Sequence, residues 1–459
     1  MSRTHSLASP GRMITATLLV LLLAAAMFAA QRPAPANASG LLDHVVATAS
    51  GEILAIVHPA EGVALADAIA GADALGISPA GQFPNVGVFG AIGSARAFDR
   101  LAATGLISRV ERNAPLQLFT NTSHTATRGA EVLDGEVTLP DGTIIDGSGV
   151  GVAVVDSGHD GTHPALSGPT NGNVKVVFPT NATVPFADTD TISAGGHGTH
   201  VSGIVVGNGT TYSGAAPGAS LYGVSAGTLI SVHSALAGLE WVLANHDRVD
   251  PPIRVVNNSW GSGPSNYNPN DAVSRAVKNL IGQGVTVVFA GGNSGGNGSV
   301  QQTSPTCVDP TPGVICVASY DDRNNGTREG NVSSFSSRGR NGQLNTYPDI
   351  SAPGSNIIST CRATLPICAT GSMNEFNTYY TLSGTSMAAP HIAGIAAQLY
   401  QIDPSLTPAD VERVLVQTAL KFENGAPYEL DPSTSLTTSV DKGAGLVDVR
   451  AAVESLLGD

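Results

Sequence analysis

The sequence predicts an α/β protein: a doubly wound, mostly parallel sheet with helices on both faces, preceded by a small α+β unit. Three observations predict it. Between Val150 and Ala318 short apolar runs recur, and each is continuous rather than alternating, the pattern of strands buried on both faces. Helix-length segments fall between those runs, as crossover connections require. Ahead of them, residues 51–118 carry a separate and shorter alternation of strand and helix.

The chain opens on a three-part secretory pattern: basic Arg3 and Arg12, an apolar run from Ile14 to Ala30, and the small-x-small triplet Ala36-Asn37-Ala38. Residues 1–38 are expected to be a signal peptide and the protein to be secreted. The alternative is surface retention through an uncleaved signal anchor, because the run sits at the short end for a membrane span. No later stretch is apolar enough to span a bilayer. Residues 39–50 form a linker. Then Glu52–His58 predicts a strand, Ala64–Ala70 a helix that Gly71 can end, Val86–Gly90 a strand, Ser94–Thr104 a helix capped by Ser94, and Ile107–Glu111 a strand. Residues 113–145 are polar and turn-rich, and the boundary between residues 39–118 and a main domain, 119–459, is placed there.

Within the main domain, strands are predicted at Val150–Asp156, Leu221–Val224, Val255–Ser259, Val285–Ala290 and Val314–Ala318. Helices are predicted at His200–Val206, Ser231–Asn245 and Ala272–Gly282, with a surface helix at Thr407–Leu420 that has Pro408 in its first turn. Doubly wound sheets bind ligands outside the carboxyl ends of their strands, and Asp156 and Asn293 fall at or just past two such ends.

Composition narrows the function. With 42% hydrophobic and 13% charged residues the chain builds a packed core. Its formal charge is −14, which excludes nucleic acid and anionic membrane as natural partners. The four cysteines, Cys307, Cys316, Cys361 and Cys368, show no C-x-x-C spacing, so a zinc site is not expected. They allow three connectivities; the one made of the two local pairings, Cys307 with Cys316 and Cys361 with Cys368, each closing a short Pro-containing loop, is expected in an exported protein.

The chemistry concentrates at Ser383-Gly384-Thr385-Ser386-Met387-Ala388-Ala389-Pro390-His391, where a buried helix follows directly on the serine. A serine at a helix N-terminus can be a plain cap. It can also be a nucleophile whose anionic intermediate is stabilised by free backbone N–H groups. Two further islands precede it, VVDSGHDGTHP around Asp156 and GGHGTHVSG around His197.

These three blocks, in the order Asp, His, Ser, resemble the signature blocks of the subtilisin-like serine proteases. NNSWG (257–261), VVFAGGNSG (287–295), PDISAPG (348–354) and GAGLVDVRAA (443–452) resemble further landmarks of the family. The resemblance implies a serine endopeptidase working through an acyl-enzyme. Ser386 would be the nucleophile, His197 the base, Asp156 its orienting acid, and Asn293 the side-chain donor to the oxyanion. Ser259, Trp260, Gly261, Gly291 and Gly292 would wall the main side-chain pocket, with Trp260 narrowing the adjoining subsite. Those walls supply no acid, so a preference for apolar or aromatic residues is expected. Residues 39–118 resemble an inhibitor-type propeptide, implying a self-cleaving precursor cut between about Asn113 and Arg128. Protein or peptide substrates and a monomer are expected, with no cofactor for the chemistry. A structural Ca²⁺ is possible within the family. Here, however, His163-Pro164 is followed by Ala165 where the family often has an Asp, and the Gly207–Gly214 loop is short, so no metal ligands are assigned.

Two other readings compete. Gly292-Asn293-Ser294-Gly295-Gly296 fits G-x-S-x-G, and with Asp349 and His391 would make an esterase or lipase using Ser294. A degenerate, inactive exported scaffold is the other.

Overall fold

The computed structural model describes residues 53–112, 122–175, 182–183 and 195–458, except 85–86, 210, 228–229, 363, 369–371 and 375–377. The secretory stretch, the linker and most of the segment expected to be cut lie outside the described residues. The chain divides into two compact units, one ending at Leu118 and one starting at Phe119.

The first unit is a four-stranded antiparallel sheet of β1 (Ile53–Pro59), β2 (Ser78–Phe83), β3 (Val88–Gly93) and β4 (Ile107–Arg112), in the order β2-β3-β1-β4. Helices Leu65–Asp73 and Ala95–Ala103 pack on it through Ala68, Ala72, Phe98 and Leu101, which meet Val57, Phe89 and Ala91 of the sheet. Ser94 caps the second helix, accepting from the Ala97 N–H at 3.3 Å. Two expectations need correction. The first helix runs through Gly71 rather than ending there and goes on to bury Ala72; a side chain at Gly71 would overlap Leu106. Strand β2 was not expected: its Ser-Pro-Ala-Gly-Gln-Phe is exposed throughout and has no apolar alternation.

The second unit is built on a nine-stranded sheet. Its strands are β5 (Gly151–Asp156), β6 (Thr170–Lys175), β7 (Ala182–Thr183), β8 (Ser220–Ser225), β9 (Ile253–Asn258), β10 (Thr286–Ala290), β11 (Val314–Asp321), β12 (Asn331–Val332) and β13 (Ile350–Pro353). The order is β12-β11-β10-β9-β5-β8-β6-β7, with β13 also on β11. Pairings within β5, β6, β8–β11 and β13 are parallel; β7 and β12 are antiparallel. The winding reverses between β5 and its neighbours β8 and β9, which makes a crevice beyond the carboxyl end of β5.

The continuous apolar runs are explained by burial on both faces. In β5, Val152 and Val154 join the core under helices His197–Val206 and Thr385–Ile402. Ala153 and Val155 join the opposite core under helices Val232–Asn245 and Ala272–Gly282. The 197–206 helix starts three residues earlier than expected, so His197 is its first residue. Helix Pro408–Thr418 has a capping box from Thr407 and Asp410. Outside the main sheet lie β14 (Ile357–Thr360), β15 (Ser372–Asn374) and β16 (Tyr379–Leu382), then the hairpin β17 (Glu429–Asp431) and β18 (Leu436–Thr438). Both local cysteine pairs are joined, Cys307–Cys316 with Cα atoms 4.7 Å apart and Cys361–Cys368 with 5.9 Å.

Candidate active site

Asp156 ends β5 and is 1% exposed. Its Oδ1 accepts from the Ser157 N–H at 2.7 Å and from His197 Nδ1 at 2.7 Å. A carboxylate only accepts, so His197 Nδ1 carries a proton; in the neutral ring the lone pair then falls on Nε2, the tautomer a general base needs. His197 is a quarter exposed, at the rim rather than in the core. Helix and turn meet closely here. The Gly198 N–H donates to Ser157 Oγ at 2.9 Å, and a methyl on Gly198 would overlap the Gly158 carbonyl oxygen and lie 3.0 Å from Asp156 Cβ.

Ser386 is the second residue of the 385–402 helix, where backbone N–H groups have no intrahelical acceptor. Pro390 stands four residues on. Lacking an N–H, it leaves the Ser386 carbonyl without its helical partner, and Ser259 Oγ donates to that carbonyl at 2.9 Å. The Ser386 hydroxyl in turn donates to the Ser259 carbonyl at 3.0 Å. Its proton must therefore swing from that carbonyl before it can reach an imidazole; such bonds commonly tighten only when substrate is bound.

Asn293 follows β10 on an exposed loop. Its Oδ1 accepts from both the N–H and the Oγ1 of Thr385, each at 2.9 Å, and Thr385 Oγ1 accepts from the Gly292 N–H at 3.1 Å. With the oxygen so held, the amide NH₂ is the end left for a ligand. The tie from Thr385 was missed by sequence reasoning, although Thr385 stands beside Ser386 in the quoted block.

A cavity of about 340 Å³ joins Ser386, Thr385 and Asn293 to Ser259, Trp260, Gly261 and Gly292, with Gln302 and Ser304 also lining it. None of its lining residues is charged. Gly261 has to be a glycine, since a Cβ there would lie 2.6 Å from Ser304 Oγ. Gly292 takes φ +111, outside the range comfortable for other residues. Gly291 does not line the cavity: it is buried behind the wall, bonded to Val317 and Ser304. Trp260 donates its indole N–H to the Val155 carbonyl at 2.8 Å and lies edge-on to Phe289. It also borders a second cavity of about 400 Å³ that reaches to Ile230, Val232 and Ala235.

The rival constellation is not assembled. Asp349 is half-buried and accepts from the Cys316 N–H at 2.7 Å, and His391 bonds the Met387 carbonyl at 2.9 Å within its own helix. Ser294 lies exposed, with its backbone N–H on Ser337 Oγ. Three buried histidines are held neutral by desolvation: His200 and His391 are each lowered to about 3, and His159 to about 4. The position expected in the family to carry a calcium-binding Asp does not suit a cation. Ala165 packs with Tyr212, Ile358 and Tyr379, and its carbonyl accepts from the Asn208 N–H at 3.0 Å. Among the described residues no group of three or more His, Cys, Asp or Glu is placed to hold a metal ion, and no helix is long and apolar enough to cross a membrane.

Comparison with known proteins meets this geometry. The subtilase family profile matches residues 147–446. The chain belongs to the subtilase family. It is 35% identical to the serine protease AprX of Bacillus subtilis (strain 168) over 338 residues, 70% of this chain and 71% of that one. It is 31% identical to fervidolysin of Fervidobacterium pennivorans over 68% of this chain, spanning 41% of that longer protein. The crystal structure of fervidolysin superposes with a TM-score of 0.55 at 25% identity, covering 88% of this chain and 61% of that one. Sphericase does so with 0.53 at 27%, covering 66% and 92%. As a subtilase, the protein is a serine-type endopeptidase that acts on protein substrates and needs no cofactor for bond cleavage.

Proposed function

We propose that this subtilase cleaves peptide bonds with Ser386 as nucleophile, His197 as base and Asp156 as the acid that orients and stabilises the imidazolium. The observation that carries the reading is the 2.7 Å bond from His197 Nδ1 to a buried Asp156, which in the neutral ring assigns the lone pair to Nε2. The Ser386 hydroxyl attacks the scissile carbonyl as its proton passes to Nε2, and the same proton then goes to the leaving amine. The oxyanion is received by the Asn293 NH₂ and the Ser386 N–H at the helix terminus. Acyl-enzyme hydrolysis repeats the cycle with water.

The neutral cavity beside Ser386 supports cleavage after apolar or aromatic residues, and nothing in its lining favours Arg or Lys. The secretory pattern of residues 1–38 supports export. The compact unit before Leu118 supports a propeptide over 39–118 that inhibits the domain 119–459 until self-cleavage, with the mature enzyme a monomer. A fluorophosphonate probe is expected to label the secreted protein, to lose labelling in Ser386→Ala and to keep it in Ser294→Ala. Labelling that survives Ser386→Ala would overturn the assignment. N-terminal sequencing of the secreted product and a peptide panel test the maturation and the preference; a strict requirement for Arg or Lys refutes the latter.

A further inference from the structure

We propose that Arg362 is a positioning residue for peptide-bond cleavage: with the Cys361–Cys368 loop it braces the Asp156 turn against the start of the His197 helix. This rests on the reading of Asp156 and His197 as acid and base.

The Asp156–His197 bond joins two segments far apart in the chain, the turn after β5 and the first turn of the 197–206 helix. Their register is what fixes its geometry. On the turn side, Asp160 is fully buried. Its Oδ1 accepts from the N–H and hydroxyl of Thr162 at 3.0 and 2.6 Å. Its other oxygen meets Arg362 Nε at 2.7 Å, while Arg362 Nη2 donates to Thr162 Oγ1 at 2.8 Å. A buried carboxylate needs such a partner, so the guanidinium grips the turn at two points. On the helix side, the Ile367 N–H donates to the Gly195 carbonyl at 3.0 Å. The approach to His197 is packed so tightly that a Cβ on Gly196 would lie 2.7 Å from Leu365 Cβ and 2.9 Å from Cys368 Sγ. Strand β14, which leads into the loop, holds the helix as well, through Thr360 Oγ1 on the Thr199 carbonyl at 2.8 Å. The disulfide ties the two ends of this loop together. Arg362 reaches the acid's side and Leu365–Cys368 the base's side, so the loop spans the pair without touching it.

A displacement of about 1 Å between reacting groups can cost on the order of a hundredfold in rate. The brace acts on orientation within the enzyme and not on substrate contacts, so its loss falls on kcat. In the mature enzyme, Arg362→Met is expected to lower kcat about tenfold with KM within about twofold. The low-field NMR signal of the His197 Nδ1 proton should shift or broaden. Arg362→Lys should fall between, because an ammonium keeps the charge beside Asp160 without the fork that also reaches Thr162. Asp160→Asn/Arg362→Met leaves no unpaired buried charge, carries the test if the single variant does not fold, and should show the same loss of kcat. Wild-type kcat in either variant, with only the melting temperature lowered, overturns the proposal. So does an unchanged Nδ1 signal. If the wild type itself is not labelled at Ser386 by the fluorophosphonate, the catalytic reading fails instead. If wild type and Arg362→Met are labelled at equal rates, the positioning role alone fails.

Discussion

Lowering the pH from 7 to 5 should destabilise the fold through histidines that take no part in the chemistry. His200, His391 and His159 are buried, with folded-state values lowered to about 3, 3 and 4 by desolvation. Each has a partner for a neutral ring: the Tyr380 carbonyl at 3.0 Å for His200, the Met387 carbonyl at 2.9 Å for His391, and Thr170 Oγ1 at 2.7 Å for His159. In the unfolded chain they titrate near about 6.5. Below that pH the unfolded state takes up protons that the folded state refuses, so stability falls with pH until the folded values are reached. From pH 7 to 5 the loss is about 2 kcal/mol per histidine, about 6 kcal/mol for three. Glu412 works the other way. Burial raises it to about 7, and its stabilising contribution, present in full at low pH, is lost as pH rises from its unfolded value through 7. Between pH 7 and 5 it returns about 2 kcal/mol. For these four groups together the expected loss is about 4 kcal/mol, a large share of the roughly 5–15 kcal/mol that holds a domain folded; burial lowers His124 and His163 in the same sense as the three histidines and raises Asp349 in the sense of Glu412. Urea unfolding of Ser386→Ala, which under the proposed mechanism cannot digest itself, measures this at both pH values. His391→Gln in that background should reduce the pH dependence by about 2 kcal/mol. A loss as large in His391→Gln as in its parent, or a parent whose stability does not fall toward pH 5, would refute the argument.

Two further outcomes follow from the site. Thr385→Val removes one of the two bonds holding Asn293 Oδ1 and the acceptor for the Gly292 N–H. It should lower kcat about tenfold and leave KM nearly unchanged, because under the proposed mechanism the asparagine amide serves the developing oxyanion more than the bound substrate; a change confined to KM would contradict this. Gly198→Ala forces the His197 helix away from the Gly158 carbonyl. It should reduce kcat/KM on the order of a hundredfold with the far-UV circular dichroism retained, and near-normal turnover would show that the helix start is free to shift.

Much of this was legible without coordinates, for a physical reason. Local rules act over a few residues. The run Gly151–Asp156 reads as a doubly buried strand because every side chain in it is apolar until the acid at its end. Ser94 reads as a helix cap, and Ser231 and Thr407 as the residues where helices begin, because a helix start depends only on the residues that follow. The motif blocks likewise place Asp156, Asn293 and Ser386 at strand and helix ends, while the start of the helix at His197 was read three residues too late. What the tertiary structure alone decided depends on partners far away in the chain. Strand β2 exists because β3 offers it an edge, not because its own residues favour it. Gly71 lies inside its helix because the chain runs on to bury Ala72 in the core of the first unit. The amide of Asn293 is oriented by Thr385, the carbonyl of Ser386 is released by Pro390 and taken up by Ser259, and the turn at Asp160 and Thr162 is held by Arg362 from some two hundred residues downstream. Sequence pattern can name the groups a site uses; the directions in which they point are set by long-range contacts that leave no local trace.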